Sequence, residues 1–251
     1  MFFRRRSRRS DDLPDLATVA EVVDRDVALA RRLGEQRHGR LIELTDELVR
    51  TRSWEAAEGF ELTHAMCVTV AANAAFPILA FDTWPYRQVT AVVLRPTSVS
   101  SRIERSGPAG GTYTDERMHL AGEAMPHSGP IALAWDAVLH ESRHPLGGSN
   151  VVIHEFAHKI DMNDGYSDGV PPLRGEALDR WLAMLDLEFA EAGSRESDAV
   201  LRPYAWSSPA EFFAVSTETF FCRPRVLAEH KPEVYDLLRI LYQQDPVTES
   251  R

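Results

Sequence analysis

Asn150-Val-Val-Ile-His-Glu-Phe-Ala-His-Lys-Ile-Asp161 combines a helical apolar pattern with a metal-ligand pattern in twelve residues. On an α-helix His154 and His158 stand one turn apart on one face, so two imidazole nitrogens can reach a single ion. Glu155 lies about 100° further round the helix, where its carboxylate can orient a water and take its proton. Val151, Val152, Ile153, Phe156, Ala157 and Ile160 supply apolar surface for the remaining faces. The segment therefore predicts a buried helix whose polar residues line a cleft. Ser149 or Asn150 is the N-cap. The turn formers between Asn163 and Pro172 end the helix near Met162.

The His-Glu-x-x-His spacing is that of zinc hydrolases. A chance pairing of two surface histidines is the competing reading, but polar groups in so apolar a segment need partners. The acidic turn after Asp161 lacks the terminal bidentate Glu of a calcium loop. Two histidines leave a catalytic zinc one protein ligand short. A third His six residues after His158 would fall on Asp164, and the glycine such a motif needs before it is replaced by Asp161.

The remaining common solution is a Glu from a second helix, and Pro209-Ala-Glu-Phe-Phe-Ala-Val-Ser-Thr-Glu-Thr-Phe-Phe221 offers one. Pro209 suits the first turn, and Glu211 and Glu218 recur seven residues apart on nearly one face. Among Phe212, Phe213, Val215, Phe220 and Phe221, two such carboxylates are costly unless a cation meets them. The expectation is one Zn2+ per chain held by His154, His158 and Glu211, with Glu218 behind it bonded to a ligand His or an Arg. An exposed first-turn Glu favoured by the helix dipole is the alternative for Glu211, and a surface or ion-paired Glu for Glu218. Asp161 either holds a histidine N–H or caps the turn. Tyr204, seven residues before Glu211, is either packing or a phenol placed to donate to an oxyanion, a contact commonly worth about 2.7–4 kcal/mol.

The rest of the chain reads as scaffold. Leu16 to Arg50 carries apolar residues at three- and four-residue spacings and predicts two helices divided at Gly34 and Gly39. His64 to Ala75 predicts a third helix with Thr63 as N-cap. Val89–Arg95 and Ile131–Asp136 predict strands. The second of these either borders the cleft with a free edge able to pair with a peptide, or is internal. The Ser-Gly-Pro-Ala-Gly-Gly run at 106–111 marks a loop. Arg174 to Ala192 and Pro232 to Gln243 predict further amphipathic helices.

A length of 251 residues with 44% apolar and 26% charged residues suits one substantial core or two joined lobes. The net charge of −10 argues against direct nucleic-acid binding. No apolar run approaches the ~18 residues of a transmembrane segment. Five of the first ten residues are Arg, without the apolar run of a secretory signal, which reads as a flexible basic leader over 1–10 or a contact for an anionic surface. Cys67 and Cys222 lie in apolar contexts that suit buried thiols and a reducing cytoplasm.

Four segments together resemble the Mlc titration factor A family of bacterial zinc peptidases: Gly59-Phe-Glu-Leu-Thr63, the helix 150–161, Asp168-Gly-Val-Pro-Pro-Leu173, and Tyr204 through Glu218. The order His-Glu-x-x-His, Tyr, Glu, a gluzincin pattern, also looks like the catalytic domain of anthrax lethal factor. The resemblance implies zinc on His154, His158 and Glu211, Glu155 as general base and Tyr204 assisting. It implies an aminopeptidase-like hydrolase of peptides or proteins that also binds a transcriptional repressor of the Mlc type. The sequence departs from the family at Trp206-Ser-Ser208, where Ala-Thr and a small polar residue are expected, a change that bears on the substrate pocket.

The resulting expectation is α+β: a mostly helical, zincin-like metallopeptidase with a small mixed sheet bordering the active-site cleft. Residues 11–251 would form a single domain, with a helical amino-terminal part over 11–76 and a catalytic part over 77–251. A non-catalytic protein that sequesters a regulator and holds zinc structurally is the alternative. An intact Glu155 favours catalysis, since a structural site needs no base.

Overall fold

Ten helices and six strands make up the described part of the computed structural model, which covers residues 13–57, 59–97, 99–100, 119–120, 122–124, 129–191 and 200–249. The Arg-rich leader and the loop at 106–111 lie outside the described residues. Helix α1 (Leu16–Asp26) starts at Asp15, whose carboxylate accepts the Thr18 N–H at 2.8 Å. It stops at Asp26, and a 3-10 turn follows over Ala28–Arg32 before α2 (Glu35–Thr51). The break therefore precedes Gly34, which is the N-cap of α2, and Gly39 sits inside α2. The cause lies outside this segment: the Asp26 carbonyl accepts Ser142 Oγ at 2.7 Å, and the Asp26 carboxylate meets Arg143 at 2.7 Å. Leu29 and Ala30 remain buried through the turn, so the apolar spacing conceals the interruption.

Strand β1 (Ser53–Ala56) leads into α3 (His64–Ala75), capped by Thr63 and buried from Cys67 to its end. Strand β2 (Ala91–Arg95) follows, then the short strands β3 (Val99–Ser100), β4 (His119–Leu120) and β5 (Gly122–Ala124), and β6 (Ile131–Ala134). The main sheet has the order β1-β2-β6-β5, with β1, β2 and β6 parallel and β5 antiparallel to β6. Strands β3 and β4 form a separate antiparallel pair. Because β6 is paired on both sides, it is internal; the edge strands are β1 and β5, and β5 is in contact with helix α5 (Val151–Asp161).

Trp135–Arg143 forms helix α4, where the sequence reading continued the strand to Asp136. Helices α6 (Glu176–Glu191), α7 (Pro209–Cys222), α8 (Pro224–His230), α9 (Pro232–Tyr242) and α10 (Pro246–Glu249) complete the chain. The fold is mostly helical with a small mixed sheet, consistent with α+β. One hydrophobic core runs from Val19 to Tyr242 and passes through α3, α5 and α7. Helix α7 is buried at Ala210 and at every residue from Phe212 to Cys222. Trp181 of α6 packs edge-on against its Phe213, with ring centroids 5.8 Å apart. Cys67 and Cys222 are both buried, and neither is in a disulfide.

Candidate metal centre

Every residue of α5 is buried, so its polar side chains must be satisfied by other elements of the fold. Asn150 caps the helix: its Oδ1 accepts the Ile153 N–H at 3.1 Å, and its Nδ2 donates to Asn73 Oδ1 of α3 at 2.7 Å. The Val151 N–H donates to Glu141 of α4 at 2.6 Å, and the Asn150 N–H to Glu218 of α7 at 2.7 Å. Two carboxylates thus meet the unpaired N–H groups and positive dipole end of α5, where negative charge is favoured. Burial pushes the Glu141 carboxyl up to about 7, with the Glu218 charge adding to it.

His154 and His158 project from α5 with their Nε2 atoms 3.2 Å apart. Glu211, in the first turn of α7, brings Oε2 to 3.0 Å from His154 Nε2 and 3.5 Å from His158 Nε2. Tetrahedral zinc with bonds of about 2.0–2.1 Å sets its ligand atoms roughly 3.3 Å apart, close to all three separations. Glu211 Oε2 is buried and lacks a well-aligned hydrogen bond among the described residues, so an acceptor faces two imidazole nitrogens with room for a shared cation. His154, His158 and Glu211 form the one group of three or more potential ligands that converges among the described residues. The residues present fit a metal ion of the zinc type.

Behind His154, Glu218 Oε1 accepts Nδ1–H at 2.7 Å, which turns Nε2 toward Glu211 as the atom that takes either a proton or a metal ion. Arg202 donates to both oxygens of the same carboxylate, at 2.6 and 3.2 Å, and to Ser149 Oγ at 3.1 Å. Burial opposes a charge on His154, but the Glu218 and Glu211 carboxylates outweigh it and raise the imidazole to about 10. The same negative field favours a bound cation. Burial likewise raises the Glu211 carboxyl, yet the two imidazoles facing it outweigh burial and hold it far below the usual carboxylate range.

Glu155, 5% exposed, has its carboxyl pushed up by burial against the pull of the two histidines. The Tyr204 ring stacks on His154 with centroids 6.1 Å apart and lies under the Arg202 guanidinium. Burial raises its phenol, helped by the nearby Glu211 and Glu155 carboxylates, so it stays a protonated donor. Asp161 bonds to neither histidine; its Oδ2 accepts the Gly169 N–H at 3.1 Å and Ser167 Oγ at 3.5 Å. Trp206 packs on Phe212 and carries the Lys231 ammonium over its ring.

The fold thus gathers His154, His158, Glu211, Glu155, Tyr204 and Glu218 in one place and sends Asp161 to the following loop. Sequence reasoning missed Arg202 and Glu141. Neither stands in a recognisable spacing, and only the fold reveals that each meets the network at the start of α5.

The family described as glucose-regulated metallo-peptidase M90 matches residues 2–243. An uncharacterized protein of a Synechocystis strain is 30% identical over 220 residues, covering 86% of this chain and 80% of its own. Mlc titration factor A of Serratia proteamaculans is 30% identical over 241 residues, covering 93% and 90%. Mlc titration factor A of Yersinia enterocolitica is 29% identical over 234 residues, covering 88% and 84%. A match spanning nearly the whole sequence, together with a gathered His, His and Glu, means that the chain belongs to the glucose-regulated metallo-peptidase M90 family.

Proposed function

We propose that the chain is a zinc-dependent, zincin-like peptidase of aminopeptidase type. His154, His158 and Glu211 hold one zinc ion. What carries the reading is the meeting of three ligand atoms at 3.0–3.5 Å, with a buried carboxylate, Glu155, on the same helix. When bound, the ion supplies Lewis acidity that polarises the scissile carbonyl and acidifies a water. Glu155 takes the proton from the attacking water and delivers it to the leaving nitrogen as the C–N bond breaks, leaving a carboxylate and an amine. Tyr204 donates its phenolic hydrogen to the developing oxyanion. Glu218, gripped by Arg202, keeps His154 in the tautomer that presents Nε2.

The single peptidase unit over residues 11–251 is part of the proposal, supported by one continuous core. A cytoplasmic site of action is also part of it, supported by two cysteines that are buried and outside any disulfide. The test uses peptide arylamides and Glu155→Gln. The variant should retain one zinc per chain and lose about 10²–10⁴-fold in kcat. Equal activity with zinc retained refutes the mechanism.

The name of the Serratia and Yersinia relatives favours a second reading, in which this chain binds a repressor of the Mlc type whether or not it cleaves peptides. A pull-down with Glu155→Gln separates the two roles, because binding should survive the loss of the base.

A further inference from the structure

The segment Asp168-Gly-Val-Pro-Pro-Leu173 has no part in the chemistry above, yet its glycine is held by three helices. The Gly169 N–H donates to Asp161, the last residue of α5, at 3.1 Å. Its carbonyl accepts Nε1–H of Trp181 in α6 at 2.8 Å, and Trp181 packs against Phe212 and Phe213 of α7. On its third side lies the first turn of α7. A Cβ at Gly169 would stand 2.2 Å from the carbonyl carbon and oxygen of Pro209 and 2.7 Å from the Ala210 nitrogen. These are backbone atoms, so no side-chain rotation relieves the clash. The backbone at Gly169 also has φ +74°, a region that disfavours any side chain.

Glu211 follows Pro209 and Ala210 in that turn, and the two histidines lie on α5 just before Asp161. Gly169 therefore joins the end of the histidine helix to the start of the glutamate helix through one residue. We propose that Gly169, anchored by Asp161 and Trp181, is a positioning residue that sets the spacing between the His154–His158 pair and Glu211. The inference rests on the metal site proposed above. It also explains why the buried Asp161 carboxylate is spent on a loop amide and not on His158, whose Nδ1 has no hydrogen-bond partner among the described residues.

The test measures zinc affinity by competition with a chromophoric chelator and records the visible spectrum of the cobalt(II)-substituted protein, with far-UV circular dichroism as a check on folding. Gly169→Ala should bind zinc about 10–100-fold more weakly and shift the cobalt bands, because the third ligand is displaced. Asp161→Ala should weaken binding about tenfold, and Asp161→Asn should restore most of it, since the amide oxygen still accepts from Gly169. A folded Gly169→Ala with wild-type affinity and unchanged cobalt bands overturns the inference. If Gly169→Ala does not fold, Asp161→Ala and Trp181→Phe decide the matter, and wild-type behaviour in both overturns it. A wild-type protein that fails to take up one zinc refutes the metal site, and the inference with it. Tight binding by the wild type and equally tight binding by the variants refutes the inference alone.

Discussion

Replacing Arg202 by Ala tests how much of the site depends on a residue that touches no reacting atom. Arg202 bonds to both oxygens of Glu218, whose side chain is 1% exposed, while Arg202 itself is 37% exposed. Removing it leaves a buried carboxylate with, among the described residues, the Asn150 N–H and the His154 Nδ1–H. Breaking a fully buried pair costs about 3–5 kcal/mol. Water can reach the Arg202 end, so the cost here is discounted to roughly 2–3 kcal/mol. For a chain of this length that lowers Tm by roughly 5–10 °C. Arg202→Lys should recover only part of the loss, because one ammonium cannot span both oxygens as the guanidinium does. Thermal melts followed by circular dichroism, with and without EDTA, are the assay. The deficit should persist in EDTA, because the Glu218 charge is buried with or without an ion. Zinc affinity should fall about 10–100-fold as His154 loses its fixed orientation. A variant that melts within about 1 °C of the wild type in EDTA refutes the assignment of Arg202 as the counter-charge of Glu218.

Tyr204→Phe should lower kcat by about 10²–10³-fold with KM little changed, since its hydroxyl acts on charge that develops only in the transition state; a change confined to KM, from steady-state arylamide kinetics, counts against that role. Burial raises the Asp26 carboxyl, but hydrogen bonds from Arg25 and Arg143 outweigh it and hold it below the usual range. A lowered pKa contributes stability that is present above the unfolded value of about 3.9 and lost as pH falls through the lower folded value. The Tm gap between wild type and Asp26→Asn should therefore be open at neutral pH and close below about pH 4, whereas a gap that widens on acidification contradicts the pairing. Burial pushes the Cys222 thiol far above its ordinary range, and Cys67 is buried as well. Neither should react with a thiol reagent in the native protein at pH 8, and both should react in guanidinium; rapid native labelling shows that the core opens more readily than its packing implies.

Wherever a local pattern has one cause, the sequence was a good guide to the fold. Thr63 and Asn150 cap their helices because a side-chain oxygen ahead of an apolar run satisfies N–H groups a few residues away. Helix α7 was legible because Pro209 opens it and two apolar clusters, Phe212 to Val215 and Phe220 to Cys222, flank its polar middle. The sequence pointed to His154, His158 and Glu211 separately, and the fold brings them within 3.5 Å of one another in the pairs described. What escaped depends on distant partners. The end of α1 is set by Ser142 and Arg143, more than a hundred residues away, and no periodicity at Asp26 reports them. Helix α4 was hidden because Ile131 to Trp135 is apolar enough to read as a continuing strand. The route from Asp161 to Gly169 was equally invisible, since a carboxylate three residues after His158 looks like a partner for that histidine.

Helix α7 combines two properties that seldom occur together: it is immersed in the core from Phe212 onward, yet the carboxylate proposed as a ligand stands at its partly open first turn. Its packing is the work of Phe212, Phe213, Phe220 and their neighbours, and hardly any of it involves the carboxylate at 211. If Glu211 holds the ion as proposed, a duplicated copy of such a gene loses hydrolysis by a single codon change at that position and keeps its shape intact. On that proposal the architecture leaves an inactive, shape-preserving sibling only one substitution away, so the two proposed roles, cutting and docking, would be inherited separately.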